Sequence, residues 1–158
     1  MTREIKFRGM DESTKKWVYG GYHKHQEIEI CPVIFSGESK DDKEPKYVHY
    51  IIMDGFADWN LPKPILKCDV IPETVGQYTG LKDKNGKEIY EGDILSSLYK
   101  RDGCKGVYVV EFYLGNFYPN KHGKHQQPVG IRMRDLERCE VIGNVCENRE
   151  LLENLNVH

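Results

Sequence analysis

Apolar and polar positions along this chain alternate in short runs, and helical spacing is confined to the tail. Ile5-Lys6-Phe7-Arg8 alternates, and Trp17-Val18-Tyr19 restores an apolar run after the polar stretch Asp11 to Lys16, so the first twenty residues predict a β-hairpin. Gly20-Gly21 is placed to break or bulge the second strand. A further alternation, Gln26-Glu27-Ile28-Glu29-Ile30, turns Ile28 and Ile30 toward a core and the two glutamates toward water, and ends at Pro32. The run SGESKDDKEPK, Ser36 to Lys46, contains no apolar residue and predicts an exposed, mobile loop. Tyr47 to Met53, rich in aromatic and β-branched residues, predicts a strand that turns at Asp54-Gly55.

Pro62 and Pro64 interrupt regular structure between Ala57 and Pro64, which makes this passage the expected boundary between an N-terminal β region, 1–64, and the remainder, 65–158. Beyond it, Ile65 to Ile71 has apolar positions at 65, 66, 70 and 71, and Val107 to Phe112 is an expected strand returning through Gly115-Asn116 to Phe117-Tyr118. Residues 119–130 form a polar loop, and Cys139 to Val145 a late strand. In the tail, Asn148 is expected to cap a short helix whose apolar stripe is Leu151, Leu152 and Leu155. Together these elements predict one mainly β domain over 1–158. Antiparallel hairpins pack on an SH3-like small barrel built from about Gln77 to Cys146, closed by a short C-terminal helix.

Composition agrees with thin layers. Of 158 residues, 39% are hydrophobic and 30% charged, and a mean hydropathy of -0.65 leaves little material for thick helical packing. Twenty-three basic residues face 25 acidic ones for a net charge of -2, so no summed field draws in nucleic acid or an anionic membrane. The five cysteines, Cys31, Cys68, Cys104, Cys139 and Cys146, form no C-x-x-C pair, as expected of free thiols in a reducing compartment. Without a signal-like run, or the roughly 20 apolar residues of a membrane helix, a soluble cytoplasmic protein is expected.

Candidate chemistry is sparse. His122 and His125 share one loop, and His23 and His25 lie two residues apart. A metal-assisted enzyme using His122 and His125 is one reading, but the remaining ligands have no visible spacing, and solvated loop histidines are the simpler account. Cys139 and Cys146 bracket a predicted strand and read as buried, inert thiols. Known catalytic and phosphate-binding motifs are missing, so no cofactor is expected. Aromatics near basic residues offer a binding face for bases or a peptide: Tyr99 with Arg101, and Tyr113, Phe117 and Tyr118 around Gly115. The structural alternative is that they are cross-strand pairs holding the sheet. A non-enzymatic interaction module of unknown partner is therefore the leading expectation, with a nucleic-acid-binding β-barrel as the alternative. An exposed edge strand makes self-association a further expectation.

Residues 79–95, TGLKDKNGKEIYEGDIL, concentrate turn chemistry. Asn85 and Gly86 both tolerate the positive backbone angles of a primed or bulged turn, and Glu91-Gly92-Asp93 turns the chain again, Asp93 able to accept backbone N–H bonds, before Ile94-Leu95 enters the core. This run, with Lys6-Phe7-Arg8-Gly9 and Trp17-Val18-Tyr19-Gly20 before it and Glu140-Val141-Ile142-Gly143-Asn144, Glu147-Asn148 and Leu151-Leu152 after it, resembles the YopX family. The resemblance spans nearly the whole chain in order. It implies a small, mainly β protein of phage or prophage origin and carries over no catalytic residues.

Overall fold

The computed structural model describes residues 4–27, 45–54, 65–97, 106–120 and 133–153. Within them the chain is mainly β, with two antiparallel sheets and one short helix. The first sheet contains β1 (Phe7–Met10), β2 (Trp17–Gln26), β3 (Tyr47–Asp54), β4 (Ile65–Asp69), β5 (Gly76–Lys82) and β6 (Glu88–Tyr90), in the spatial order β4-β3-β2-β1-β5-β6. The second contains β7 (Asp93–Ser97), β8 (Gly106–Tyr113), β9 (Asn116–Asn120) and β10 (Glu140–Asn144), in the order β10-β7-β8-β9.

The expected N-terminal hairpin is present, with Arg8 opposite Tyr19. Gly20-Gly21 does not end β2, which runs through both residues. Gly20 instead permits a close strand approach, because a Cβ there would lie 2.1 Å from the Ile52 carbonyl oxygen. The free edge of β1 is taken by β5, with Phe7 opposite Gln77 and Arg8 opposite Gly76. This pairing draws β5 and β6 into the first sheet, which β4 joins through β3, and the chain changes sheets at Glu91-Gly92. The segment expected to form a small barrel is thereby shared between two sheets, and among the described residues no closed barrel forms.

Alternation along β7 and β8 sends neighbours to opposite faces, and both faces of the second sheet are covered. Leu95, Val110, Phe117 and Val141 join Ile89 and Leu136 in one cluster. Ile94 and Val109 join Leu152 in the other. Each fully buried aliphatic side chain stabilises the fold by about 1.5–3 kcal/mol. Leu136 arrives on a 3-10 turn, Met133–Arg138, which sequence reading left without structure. Leu152 lies on the tail helix α1 (Glu150–Glu153). Asn148 does not cap α1 with its side chain. Its Oδ1 accepts the Asn144 amide at 3.3 Å, so the residue clamps the turn after β10.

Two expected turns differ in detail. The β8–β9 return is made by Leu114 and Gly115, at φ 47° and 84°, and Asn116 already belongs to β9. In the 83–87 turn only Gly86 has positive φ, at 83°, because Asp83 rather than Asn85 organises the loop. The expectations for Ile28, Ile30, residues 36–44, Gly55, 57–64 and Leu155 lie outside the described residues.

Candidate functional site

The seam between the sheets is built around Arg8 and Asp93. β1 carries Arg8 into the interior, where its guanidinium lies 4.7 Å from the Trp17 ring centre and 5.0 Å from that of Tyr90, an arrangement in which aromatic faces attract the cation. Arg8 Nη1 is 2.7 Å from Asp93 Oδ1, and Nη2 donates to the Glu91 carbonyl at 3.2 Å. The ion pair is in charge contact but outside hydrogen-bond geometry, so Asp93 Oδ1 and Arg8 Nε have no hydrogen-bond partner among the described residues. Asp93 Oδ2 accepts the Tyr90 amide at 2.8 Å. Burial raises the Asp93 pKa, and Arg8 opposes that rise. This is the role expected of Asp93, an acceptor of backbone N–H, extended by a charge partner from the far N-terminus.

A second weld is Asp83, which sequence reading passed over. Its buried carboxylate accepts the amides of Asn85 at 2.8 Å and Lys87 at 2.9 Å through Oδ1, and that of Val141 on β10 at 3.0 Å through Oδ2. Burial pushes its pKa up, but the Val141, Lys87 and Asn85 amides more than offset this, and the carboxyl stays below its ordinary value. The Lys84 amide donates to the Cys139 carbonyl at 3.0 Å. Gly92, at φ 79°, donates to Val110 O at 2.8 Å and accepts from Val145 N at 2.9 Å. The run 79–95 is thus the joint between the two sheets. Asp followed by Asn-Gly was the available signal for the Asp83 turn; its reach to Val141 had none.

Beside this joint lies a cavity of about 320 Å³. Arg8 lines it together with the apolar residues Val75, Val109 and Val145 and the acidic residues Glu73, Glu91 and Glu111. Glu91 is half-buried and its pKa is raised, first by desolvation, with the Glu111 charge adding and the amides of Gln77 and Phe112 opposing. Glu111 accepts from Asn120 Nδ2 at 2.8 Å. Cys146, expected to be buried, is exposed at the edge of the cavity because it follows the Asn144 turn, where Asn144 Oδ1 takes the Cys146 and Glu147 amides. Its thiol pKa is raised by residual desolvation. Cys139 is buried as expected. The Cys68 thiol, donating to Asp11, is pushed up to about 11 by burial and then by that carboxylate. Thiols held in this protonated form are poor nucleophiles.

The aromatics proposed for binding do not share one face. Phe117 is buried and packs edge-on to Phe112 at 5.1 Å, Tyr118 pairs with Glu111, and Tyr113 is 62% exposed. Next to Tyr113, Leu114 is 78% exposed. Tyr99, Arg101, His122 and His125 lie outside the described residues. Among the described residues no group of three His, Cys, Asp or Glu side chains is placed to hold a metal ion. Nor is any helix among them long and apolar enough to cross a membrane.

Against known proteins, residues 6–153 match the family model described as YopX protein. No curated protein matches the sequence. Among solved structures, the chain is similar to the crystal structure of protein EF1440 from Enterococcus faecalis, at 23% identity over 96% of this chain and 99% of that one, with a TM-score of 0.46.

Proposed function

The chain belongs to the YopX protein family, and from that premise we propose that it is a non-enzymatic interaction module of a phage or prophage, acting in the cytoplasm of the bacterial host. The observation that carries this reading is where the buried ionisable groups go. Arg8, Asp83 and Asp93 are spent on each other, on ring faces and on backbone groups of the inter-sheet joint. A general acid or base needs a titratable group within reach of a substrate proton, and these three are committed to holding strands together. The binding capacity then rests with exposed apolar and aromatic side chains such as Tyr113 and Leu114. The test is affinity purification of the tagged chain from prophage-bearing cells, followed by reconstitution with the purified partner. A stoichiometric complex is expected. Reproducible turnover of a metabolite, with no partner retained, would sink this reading.

One observation favours a second reading, contact with single-stranded nucleic acid. On β2 and β3 the His23 ring lies 6.1 Å from His25 and 6.5 Å from Tyr50, with ring planes within 19° and 12°, and Lys67 Nζ sits 3.8 Å above Tyr50. A row of aligned rings with a cation is suited to stacking on bases. A mobility-shift assay at low salt decides it, since phosphate contacts are strongest there. No shift with single-stranded DNA or RNA removes the idea.

A further inference from the structure

The β8–β9 turn breaks a local rule. A two-residue hairpin loop with positive φ at both positions favours Asn-Gly or Gly-Gly, yet here its first residue is Leu114, at φ 47°. Exposure climbs toward it, from 48% at Phe112 to 62% at Tyr113 and 78% at Leu114. An apolar side chain kept in a strained backbone state at a protruding tip is an observation from which a contact role follows more readily than a folding role. The tip segment Phe112 to Tyr118, FYLGNFY, carries no charge.

The inter-sheet cavity has the complementary form. It is lined by Val75, Val109 and Val145 and by the acidic residues Glu73, Glu91 and Glu111. An uncharged apolar tip enters such an acidic space without adding like charge, Leu114 matches the valine walls, and the Tyr113 hydroxyl can donate to a carboxylate. Cavity and tip are also neighbours on one surface, because Glu111 lines the first and Tyr113, two residues on along β8, begins the second. A patch that holds both a projection and its socket is self-complementary about a two-fold axis.

We propose that two copies of this chain associate by reciprocal exchange, the Tyr113-Leu114 tip of each entering the inter-sheet cavity of the other. Reciprocity matters energetically, because one hairpin tip is too small to approach the roughly 1,200 Å² buried by a specific interface, and the exchange doubles the contact. Cys146 is exposed and lines the cavity, so a larger side chain there takes up space the tip would fill.

The test is the mass of the full chain by light scattering or sedimentation equilibrium, from micromolar to near-millimolar concentration. The expected result is a rise from one chain to two and no further. Leu114→Asn weakens the association at least tenfold without lowering the unfolding temperature, since Asn accepts the left-handed backbone state. Cys146→Trp weakens it through the other half of the contact. Mixing the two variants gives an association stronger than that of either variant alone and weaker than that of the wild type, with one intact tip in one intact cavity. A wild type that stays monomeric throughout, a mass that passes two chains, or a Leu114→Asn variant that dimerises like the wild type overturns the proposal. A monomeric wild type leaves the binding of a foreign partner untouched, because that is scored by reconstitution with the partner.

Discussion

At the scale of single residues, the chain assigns its polar side chains to backbone work. Asp83 is the clearest case, since three amides converge on one carboxylate. Asp83→Ala is expected to cost about 2–4 kcal/mol in urea unfolding, because hydrogen bonds to a charged group contribute about 1.5–3 kcal/mol each and their donors are left unsatisfied. The pH dependence follows from the lowered folded-state pKa. A depressed carboxyl stabilises the fold above its unfolded value, near 4, and loses that contribution as pH falls through the lower folded value. Asp83→Asn should flatten the acid limb of the stability curve below about pH 4, measured by urea unfolding at stepped pH. Leu114 makes the opposite case: Leu114→Asn should raise stability, by up to about 1 kcal/mol in urea unfolding, because the short polar side chain of Asn eases the left-handed state. Alternation and turn preferences made Asp93 and Gly92 legible as turn residues. Leu114 was illegible for the same reason, since turn preferences point to Gly115-Asn116 and the chain ignores them.

At the scale of elements, most strands were readable and their partners were not. Tyr47 to Met53 and Val107 to Phe112 announce themselves by β-branched and aromatic content, and both are strands. Periodicity says which side chains share a face and nothing about which edge a strand joins. Hence β5 and β6, expected in a barrel with β7 to β10, lie in the first sheet, β5 beside β1 and β6 beside β5. The 3-10 turn carrying Leu136 had no periodic signal, because six residues are too few to establish one. Gly20 and Gly21 give a paired test of the β2–β3 ladder. Gly20→Ala places a Cβ 2.1 Å from the Ile52 carbonyl, whereas the nearest atom to a Cβ at Gly21 is 4.0 Å away. Gly20→Ala is therefore expected to destabilise by several kcal/mol and Gly21→Ala to be neutral or mildly stabilising, on the order of 0.5–1 kcal/mol, through loss of unfolded-chain freedom. Thermal unfolding of the two variants side by side checks both signs.

At the scale of the whole molecule, the two sheets are one cooperative unit only if their joint holds. Arg8→Ala leaves Asp93 buried without its cation, and a broken buried pair costs about 3–5 kcal/mol. Replacing both, Arg8→Met with Asp93→Asn, should recover much of that loss, because neither charge is then stranded. A double-mutant cycle in guanidinium measures the coupling. The candidate cavity was invisible in the sequence on physical grounds. Its walls come from Val75, Val109 and Val145, on three separate segments, and no local spacing encodes a volume that exists only after the sheets dock.

The position of β1 in the middle of the first sheet also governs when the protein can finish folding. β1 is synthesised well before one of its two neighbours, β5, and before the Glu91 carbonyl that Arg8 reaches, 83 residues away. Until then a nascent chain presents β1 with one bare edge, a ready template for another strand. Such distant pairings slow folding to roughly milliseconds to seconds, so the completion of β5 at Lys82 marks the earliest point in synthesis at which β1 can lose its bare edge.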